Sequence, residues 1–304
     1  MSPPLIVILG PTACGKTKLA VQLAKKFNGE IVSADSRQVY RGLNIGTGKD
    51  LNEYNLPGKK IPYHLIDVVD PKKSFSLAEY QKKAYQAINE ILERKKLPFL
   101  VGGTGFYIKA ITEGIILSSA KPDHNLRKEL ESMSNEYRLR ILKKLDPEIL
   151  EQIDTANPRR VIRAIEICKQ TNQKLSQFQA KSQKINRPRY AALILGLTYP
   201  IDEIRKRIKK RLEERLKQGL IEEVQELHKN GLSWKRLIDF GLEYRYISYF
   251  LKKEIPYDAM LERLIIANGQ LAKKQMTWFK KDTQVKWIHD EKEAEKLIDE
   301  HISS

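Results

Sequence analysis

The stretch that decides the fold is Leu5–Thr17, with the sequence LIVILGPTACGKT. Its first five residues are apolar and predict a short buried strand. The remainder matches the pattern G-x-x-x-x-G-K-[ST] of a phosphate-binding loop, and apolar residues at helical spacing follow it. In such a loop backbone N–H groups surround a phosphate, the helix N-terminus adds positive potential, Lys16 supplies charge and Thr17 can hold Mg²⁺. We therefore predict a phosphate site here, the alternative being a tight strand-to-helix turn with an incidental lysine. The residues of the predicted site are Gly10, Pro11, Thr12, Ala13, Cys14, Gly15, Lys16 and Thr17.

Strand and helix patterns alternate through the first hundred residues. Glu30–Ala34 and Leu97–Val101 are predicted as further strands, and Tyr80–Arg94 as a helix with one apolar face. Ile66–Val69 is a shorter strand candidate. This alternation of strands and helices indicates a parallel sheet with right-handed crossovers.

The pattern changes after residue 117. Residues 123–183 are polar and helical, and a strand pattern returns at Tyr190–Leu197. We predict an α/β fold with a P-loop NTPase-like parallel sheet: residues 1–120 and 188–304 form the core, and residues 121–187 form an inserted all-helical domain. Beyond it, the sequence predicts one long amphipathic helix from Asp202 to about Lys229, and a short final strand at Val285–Ile288.

The composition points to a polyanionic partner. The 304 residues include 55 Lys and Arg against 38 Asp and Glu, a formal charge of +17, which suits nucleic acid or an acidic membrane surface. The alternative is a solvated, lysine-rich surface. Cys14 and Cys168 are far apart, which excludes a disulfide framework and a structural zinc site. No signal peptide or membrane-spanning run is evident, so we expect a cytoplasmic protein, without a membrane partner and monomeric.

Asp35 is the carboxylate of greatest interest. It follows the second predicted strand and should lie at the carboxyl edge of the sheet beside the P-loop, where ligands bind. A carboxylate there can accept a proton from an incoming nucleophile, although it can also cap a turn. Ser36, Arg37 and Gln38 follow at once and can contact phosphate or base edges.

The strand Leu97–Val101 ends in Gly-Gly-Thr-Gly, where a P-loop kinase or hydrolase usually has an aspartate for Mg²⁺. Thr104 and open backbone stand there, and Asp67 is only a weak substitute. The loop is therefore predicted to hold a diphosphate as a leaving group, with ATP as a second candidate ligand.

Three further basic segments could face an anion. The first is the helix predicted from Asp202, which carries Arg205, Lys206, Arg207, Lys209, Lys210, Arg211, Arg215 and Lys217 on a face turned toward solvent or a ligand. Asn157-Pro158 is a good start for a helix that carries Arg159, Arg160 and Arg163. Lys273–Lys281 interleaves basic residues with Trp278 and Phe279, a pattern that suits stacking on unpaired nucleotides unless the aromatic rings belong to the core. His64 has no second histidine at ligand spacing and is predicted to be structural.

Taken together, these motifs resemble the tRNA dimethylallyltransferase family, also called tRNA isopentenyltransferases or IPP transferases. The stretch S-A-D-S-R-Q-V-Y-R-G at residues 33–42, close to a P-loop, is highly specific to that family. The segments that carry the resemblance follow the family's order along nearly the whole chain: Gly10–Thr17, Ile31–Gly42, Ile45–Thr47, His64–Asp67, Val101–Tyr107, Asn157–Ala164, Gly219-Leu220 and Lys273–Phe279.

The resemblance implies a donor, an acceptor and a cofactor. The donor is dimethylallyl diphosphate, the acceptor is N6 of adenosine 37 in the tRNA anticodon stem-loop, and the cofactor is Mg²⁺. Asp35 matches the family's general base, Thr104 a position near the acceptor base, and Arg211 a diphosphate-binding arginine. Thr12, Lys16 and Thr17 match positions that hold the diphosphate and the metal, which makes Asp35, Thr12, Thr104 and Arg211 the catalytic candidates. Matches to tRNA contacts are Asp35, Ser36, Arg37, Gln38, Thr104, Arg127, Arg159, Arg160, Val161, Ile162, Arg163, Lys273, Lys274 and Gln275.

The chain departs from the family pattern at a few positions. Cys14 replaces the usual serine of the P-loop, Gly48-Lys49-Asp50 stands where Ala-Lys-Pro is common, and Tyr63 precedes His64 where a second histidine is usual. The zinc finger of eukaryotic relatives is absent, so the form resembles the bacterial one.

Three other functions stay open at this point. A related adenylate isopentenyltransferase would act on free adenine nucleotides, and a P-loop kinase would phosphorylate a small metabolite. A tRNA-binding module without catalysis is the third, although the presence of Asp35 disfavours it. The high positive charge and the basic, aromatic segment near the C-terminus favour tRNA as the acceptor.

Overall fold

The computed structural model describes residues 2–118, 120–184 and 188–303. Five pairs of parallel strands form one six-stranded sheet, in the order β5-β2-β6-β1-β7-β8, and β3 and β4 form a separate antiparallel hairpin. The predicted α/β class with a mostly parallel sheet is confirmed. The strands are β1 Pro4–Leu9, β2 Gly29–Ser33, β3 Asn55–Leu56, β4 Lys59–Lys60, β5 Tyr63–His64, β6 Leu97–Gly102, β7 Ala191–Leu197 and β8 Lys286–Ile288.

Helices connect these strands and also form most of the remaining chain. Two short 3₁₀ helices, Leu51–Tyr54 and Pro147–Glu151, accompany them. The α-helices are α1 Lys16–Lys26, α2 Leu77–Glu93, α3 Gly105–Thr112, α4 His124–Ser132, α5 Asn135–Leu145, α6 Pro158–Thr171, α7 Leu175–Lys184, α8 Ile201–Lys217, α9 Leu220–Lys229, α10 Trp234–Phe240, α11 Leu242–Leu251, α12 Tyr257–Phe279 and α13 Glu291–Ser303.

The chain divides into two compact units. One contains Met1–Thr112 and Arg189–Ser304, and the other is the segment Glu113–Pro188. The second unit begins earlier than the predicted residue 121, because α3 ends at Thr112 and Gly114 turns the chain with φ of 62°. It contains α4 to α7 around its own apolar core and has no strand among its described residues.

Both faces of the sheet are covered, as a buried parallel sheet requires. The alternation within β1 shows this directly: Leu5, Val7 and Leu9 belong to one apolar cluster, and Ile6 and Ile8 to the other. Every one of these side chains is buried, so the apolar run that predicted a buried strand forms the centre of the core.

Two predicted elements differ in the structure. Ile66–Val69 is not a strand, because Leu65 and Asp67 adopt φ values of 63° and 57°, which interrupt an extended chain. The edge strand is β5 instead. The long helix predicted from Asp202 is divided into α8 and α9 at Gly219, whose φ of 96° ends one helix and begins the next.

Candidate active site

The P-loop connects β1 to α1 as predicted. Ala13 and Gly15 adopt φ values of 64° and 82°, which turn the backbone around the start of α1. Gly15 precedes the helix and provides no side-chain cap, so the first N–H groups of α1 stay available to an anion. Lys16 Nζ donates to the carbonyl oxygen of Pro11 at 3.2 Å, and the lysine lines the cavity at this loop.

Asp35 lies two residues beyond the end of β2, at the carboxyl edge of the sheet, and lines the same cavity as the P-loop. Its Oδ1 accepts hydrogen bonds from the backbone N–H groups of Arg37, at 2.8 Å, and Gln38, at 3.3 Å. One carboxylate oxygen therefore caps the turn, as the alternative interpretation expected, while the side chain still faces the cavity. The turn holds the carboxylate at this edge of the cavity.

Thr104 lies beside Asp35 because two strand ends meet. Ala34 N donates to Val101 O at 2.7 Å and Thr104 N to Ala34 O at 3.1 Å. A Cβ atom on Gly102 would come within 2.2 Å of Ala34 O, so only glycine permits this approach. Thr104 Oγ1 accepts a hydrogen bond from Ser36 N at 3.0 Å. This bond joins two of the residues that were predicted to contact the tRNA.

Other predicted contacts of this segment are engaged within the protein. Gln38 Nε2 donates to Gly48 O at 2.9 Å and so holds the loop that forms the opposite wall. Burial lowers the pKa of Arg37, and the charge of Asp35 opposes that shift. Asp67, the weak metal candidate, forms an ion pair with the buried Lys49 instead.

Gln275 connects the P-loop to the loop after β6. Its Oε1 accepts from Thr12 N at 2.8 Å, and its Nε2 donates to Gly103 O at 2.9 Å. The sequence predicted a tRNA contact for this residue, but the structure places its amide inside the cavity, bonded to backbone on both sides. Lys274 also lines the cavity, whereas Lys273 lies beside Trp278 on a neighbouring surface pocket.

The two aromatic residues of the C-terminal segment have different environments. Phe279 is buried in the core, as the alternative interpretation expected. Trp278 is half-buried and lies 6.0 Å, centroid to centroid, from Phe106, whose side chain is exposed. One ring of the pair is therefore available for stacking.

Helix α8 supplies two guanidinium groups to the cavity. Arg211 donates from Nη2 to Thr12 Oγ1 and so lies beside the P-loop, where the resemblance predicted a diphosphate-binding arginine. Burial lowers the pKa of Arg211 to about 10, and the positive charge of Arg215 acts in the same direction. Arg215 itself is buried and lines the same cavity.

The sequence placed Arg215 in the basic run of the helix from Asp202 without assigning it to the site, and it missed Glu243 and the bridging role of Gln275. A signal for Arg215 was present, because Arg211 and Arg215 directly precede Leu212 and Leu216 of the apolar seam. Such positions border the buried stripe of a helix and are not on its solvent face. No comparable signal marks Glu243 or Gln275, whose partners are distant in sequence.

The cavity that collects these residues has a volume of about 1030 Å³ and carries an excess of positive charge. Its basic lining residues are Lys16, Arg37, Arg207, Lys210, Arg211, Arg215, Arg245 and Lys274. Its acidic lining residues are Asp35, Asp50, Glu53, Glu214 and Glu243. The arrangement can hold an anion at the P-loop and present a carboxylate to a second reactant in the same space.

In the helical unit, Glu166 organises two of the predicted tRNA contacts. Arg127 forms two hydrogen bonds of 2.8 Å with its carboxylate, and Arg163 also pairs with it. Burial would raise the pKa of Glu166, but the hydrogen bonds from Arg127, Asp123 N and Arg163 lower it. The two guanidinium groups stay about one-third exposed.

The other predicted tRNA contacts on α6 differ in how exposed their side chains are. Arg159 and Arg160 are exposed at the beginning of α6, which Asn157 caps through a 3.1 Å bond to Arg159 N. Val161 and Ile162, also predicted as tRNA contacts, have side chains buried in the core of this unit, so their side chains are not exposed to a partner in this structure. On this helix the apolar positions face inward and the arginines face solvent.

Comparison with known families places the chain clearly. The family model described as IPP transferase matches residues 38–282, and the model described as isopentenyl transferase matches residues 3–65. A tRNA dimethylallyltransferase 1 of Syntrophus aciditrophicus is 45% identical over 97% of this chain and 96% of its own length. A tRNA dimethylallyltransferase 1 of Geotalea daltonii is 42% identical, with 93% and 90% covered.

Solved structures agree with the sequence relatives. The tRNA delta(2)-isopentenylpyrophosphate transferase of Staphylococcus epidermidis is 35% identical, with a TM-score of 0.70 and 99% of each chain covered. A eukaryotic dimethylallyltransferase captured acting on tRNA is 26% identical, with a TM-score of 0.75 over 91% of this chain and 70% of that one. Among the described helices, none is long and apolar enough to cross a bilayer.

Proposed function

The chain belongs to the IPP transferase family and is a prenyltransferase, and from that premise we propose that it transfers a dimethylallyl group to N6 of adenosine 37 in tRNA. Dimethylallyl diphosphate is the proposed donor. The observation that carries the proposal is the shared cavity, in which the P-loop and Arg211 face the same space as Asp35 and Thr104. One end suits a diphosphate, and the other suits a nucleophile that must lose a proton.

The proposed step exchanges one bond for another. The adenine N6 lone pair is delocalised into the ring, so N6 attacks the allylic carbon only as its proton moves to Asp35. The bond between that carbon and the diphosphate oxygen breaks, and its electron pair leaves with the diphosphate. Lys16, Arg211 and the N-terminus of α1 stabilise the charge that develops on the leaving group.

The residues of this site are compatible with a Mg²⁺ ion that is bound mainly by the phosphates of the substrate. No group of three or more His, Cys, Asp or Glu side chains that could hold a metal occurs within the described ranges. Mg²⁺ commonly keeps several waters and binds through one or two protein ligands together with substrate phosphates. Thr17 in the first turn of α1 would be its protein ligand, and the metal would add positive charge to the departing diphosphate.

The tRNA is proposed to bind through exposed basic groups. Arg159 and Arg160, together with Lys273 and Lys274, supply charges for phosphate contacts, and the net charge of +17 favours a long polyanion. The target adenine is stacked in the anticodon loop and must turn outward to enter the cavity. A ring such as exposed Phe106 could stack on an unpaired base.

The relatives named above favour this function over prenylation of free nucleotides, since their names specify tRNA. The absence of a carboxylate at the end of β6, where Gly102 and Gly103 stand, disfavours a kinase.

Incubation with an unmodified tRNA transcript, dimethylallyl diphosphate and Mg²⁺, followed by nucleoside digestion and mass spectrometry, tests the proposal. Parallel reactions contain AMP in place of tRNA, or ATP in place of the prenyl donor. We expect prenylated adenosine from tRNA, and none when position 37 is changed to another base. Prenylation of AMP without turnover of tRNA, or phosphoryl transfer from ATP alone, would refute the proposal.

A further inference from the structure

We propose that Arg215 is a second guanidinium of the subsite for the donor diphosphate and binds the anion beside Arg211. This inference rests on the proposed function, because it assigns a residue to the donor of that reaction. The family pattern gave Arg211 this role and was silent on Arg215.

The placement of Arg215 is the first support. It follows Arg211 by four residues on α8, so the two side chains lie on the same face of the helix. Both line the cavity that the P-loop enters. Arg215 is only 6% exposed, although arginine is rarely buried unless it is paired.

The charge balance around Arg215 is the second support. In the described part of the chain, Glu243 is the carboxylate within ion-pair distance, at 3.8 Å from Arg215 Nη1, too far for a hydrogen bond. The same carboxylate accepts from Asn268 Nδ2 at 3.2 Å. The buried Arg215 therefore has one distant carboxylate partner, with the positive charge of Arg211 nearby on the same helix face, and an unbalanced buried charge is costly. A diphosphate would supply the missing negative charge.

The backbone opposite Arg215 is the third support. A Cβ atom on Gly48 would lie 1.9 Å from Arg215 Nη2, so any other residue would displace the guanidinium. Gly48 also adopts φ of 64°. This glycine stands where alanine is common in the family. The glycine at position 48 has a physical reason, because the absence of a side chain leaves space for the guanidinium of Arg215 on α8.

Calorimetric titration with inorganic diphosphate, in the presence of Mg²⁺ and without tRNA, tests the assignment. Arg215→Met keeps the bulk of the side chain and removes its charge, and we expect binding to weaken about 10- to 100-fold, as for loss of a hydrogen bond between charged groups. Arg205→Met is the matched control, since the Arg205 side chain is 67% exposed on the same helix. The affinity of this control variant for diphosphate should equal that of the unmodified protein. Wild-type affinity of Arg215→Met would overturn the proposal.

A purely structural role for Arg215, as the partner of Glu243, predicts a different pattern. In that case the double variant Arg215→Met with Glu243→Gln, which has no unbalanced charge at this pair, regains wild-type diphosphate affinity. We expect it to regain thermal stability while binding stays weak. Recovery of both quantities would refute the assignment.

Gly48→Ala provides an independent probe of the same contact. In the wild-type background it should weaken diphosphate binding, because the new methyl group displaces the guanidinium. In the Arg215→Met background it should have little further effect on binding, since the displaced group is already absent. Equal effects in both backgrounds would contradict the inference.

The prenylation assay on the unmodified protein distinguishes failure of the proposed function from failure of the role assigned to Arg215. Absence of prenylated tRNA from the wild type would refute the proposed function. Normal prenylation by the wild type, together with unchanged diphosphate affinity of Arg215→Met, would refute only the role of Arg215.

Discussion

At the scale of single residues, Gln275 shows how a distant side chain fixes the P-loop. Both ends of its amide are bonded to backbone, one to Thr12 and the other to Gly103. These bonds hold the phosphate side of the cavity against the loop that carries Thr104. Gln275 is therefore a positioning residue for the P-loop and for the loop that carries Thr104.

Gln275→Ala should lower kcat/KM for dimethylallyl diphosphate about 10-fold, because it removes two hydrogen bonds of about 1 kcal/mol each and loosens the P-loop. Steady-state kinetics at saturating tRNA provides the measurement. Gln284→Ala, which truncates an exposed glutamine, is the control and should behave as the wild type. Unchanged donor kinetics in Gln275→Ala would show that the P-loop keeps its conformation without this amide.

The sequence was sufficient to predict where some of the site residues lie, but not others. It placed Lys16, Asp35 and Thr104 in one site, because the carboxyl ends of neighbouring parallel strands meet at the same edge. It could not show that Gln275 faces the P-loop or that Arg215 faces Gly48. Those properties depend on how helices pack, and sequence spacing alone does not determine packing.

At the scale of elements, α9 fastens the loop opposite the P-loop. Its Glu223 accepts hydrogen bonds from the N–H groups of Asn44, Ile45 and Gly46, at 2.6 to 3.1 Å, and from the hydroxyl group of Tyr244 at 2.8 Å. The break at Gly219 begins α9 one turn before this residue. Prediction of one continuous helix missed the break, because the apolar spacing continues across a glycine whose positive φ is not visible in the pattern.

Glu223→Ala should reduce the free energy of unfolding by at least about 2 kcal/mol, since four donors lose their shared acceptor. Urea denaturation of the variant and the wild type measures the difference. Glu226→Ala, on the exposed side of the same helix, should change it by less than about 0.5 kcal/mol. Equal effects of the two substitutions would mean that the loop does not depend on Glu223.

At the scale of the whole molecule, the ion pairs of one buried carboxylate, Glu30, make the stability of the protein depend on pH. Glu30 at the start of β2 is buried and lies within 2.8 to 2.9 Å of His64 on β5, Arg94 after α2, and Lys96. Burial alone would raise the pKa of Glu30, but the hydrogen bonds from Arg94, Lys96 and His64 lower it to about 2. The predicted structural role of His64 is confirmed by this contact.

Because the pKa of Glu30 is lower in the folded state, its contribution to stability is fully present above the unfolded pKa of about 4.5. We expect about 3 kcal/mol to be lost progressively as the pH falls from about 4.5 toward 2. Denaturation curves between pH 6 and pH 3 should therefore separate the wild type from Glu30→Gln most at pH 6. A constant difference between the two proteins across that range would exclude Glu30 as the source.

The fold as a whole was the most predictable level. A buried strand, a P-loop and a helix at Leu5–Thr17 require a parallel sheet with ligands at its carboxyl edge, and the six-stranded sheet has that form. The partners of individual charges were less predictable. Arg127 and Arg163 share Glu166, for example, because a folded helical unit brings together residues that the sequence separates.

The central claim is that Asp35 takes the proton from the attacking amine, and Asp35→Asn tests it most directly. The asparagine Oδ1 can still accept from the N–H groups of Arg37 and Gln38, so the turn is kept while the base is removed. Single-turnover prenylation of tRNA should slow by about 10²- to 10⁴-fold, with the affinities for tRNA and diphosphate unchanged. A rate close to that of the wild type would contradict the account.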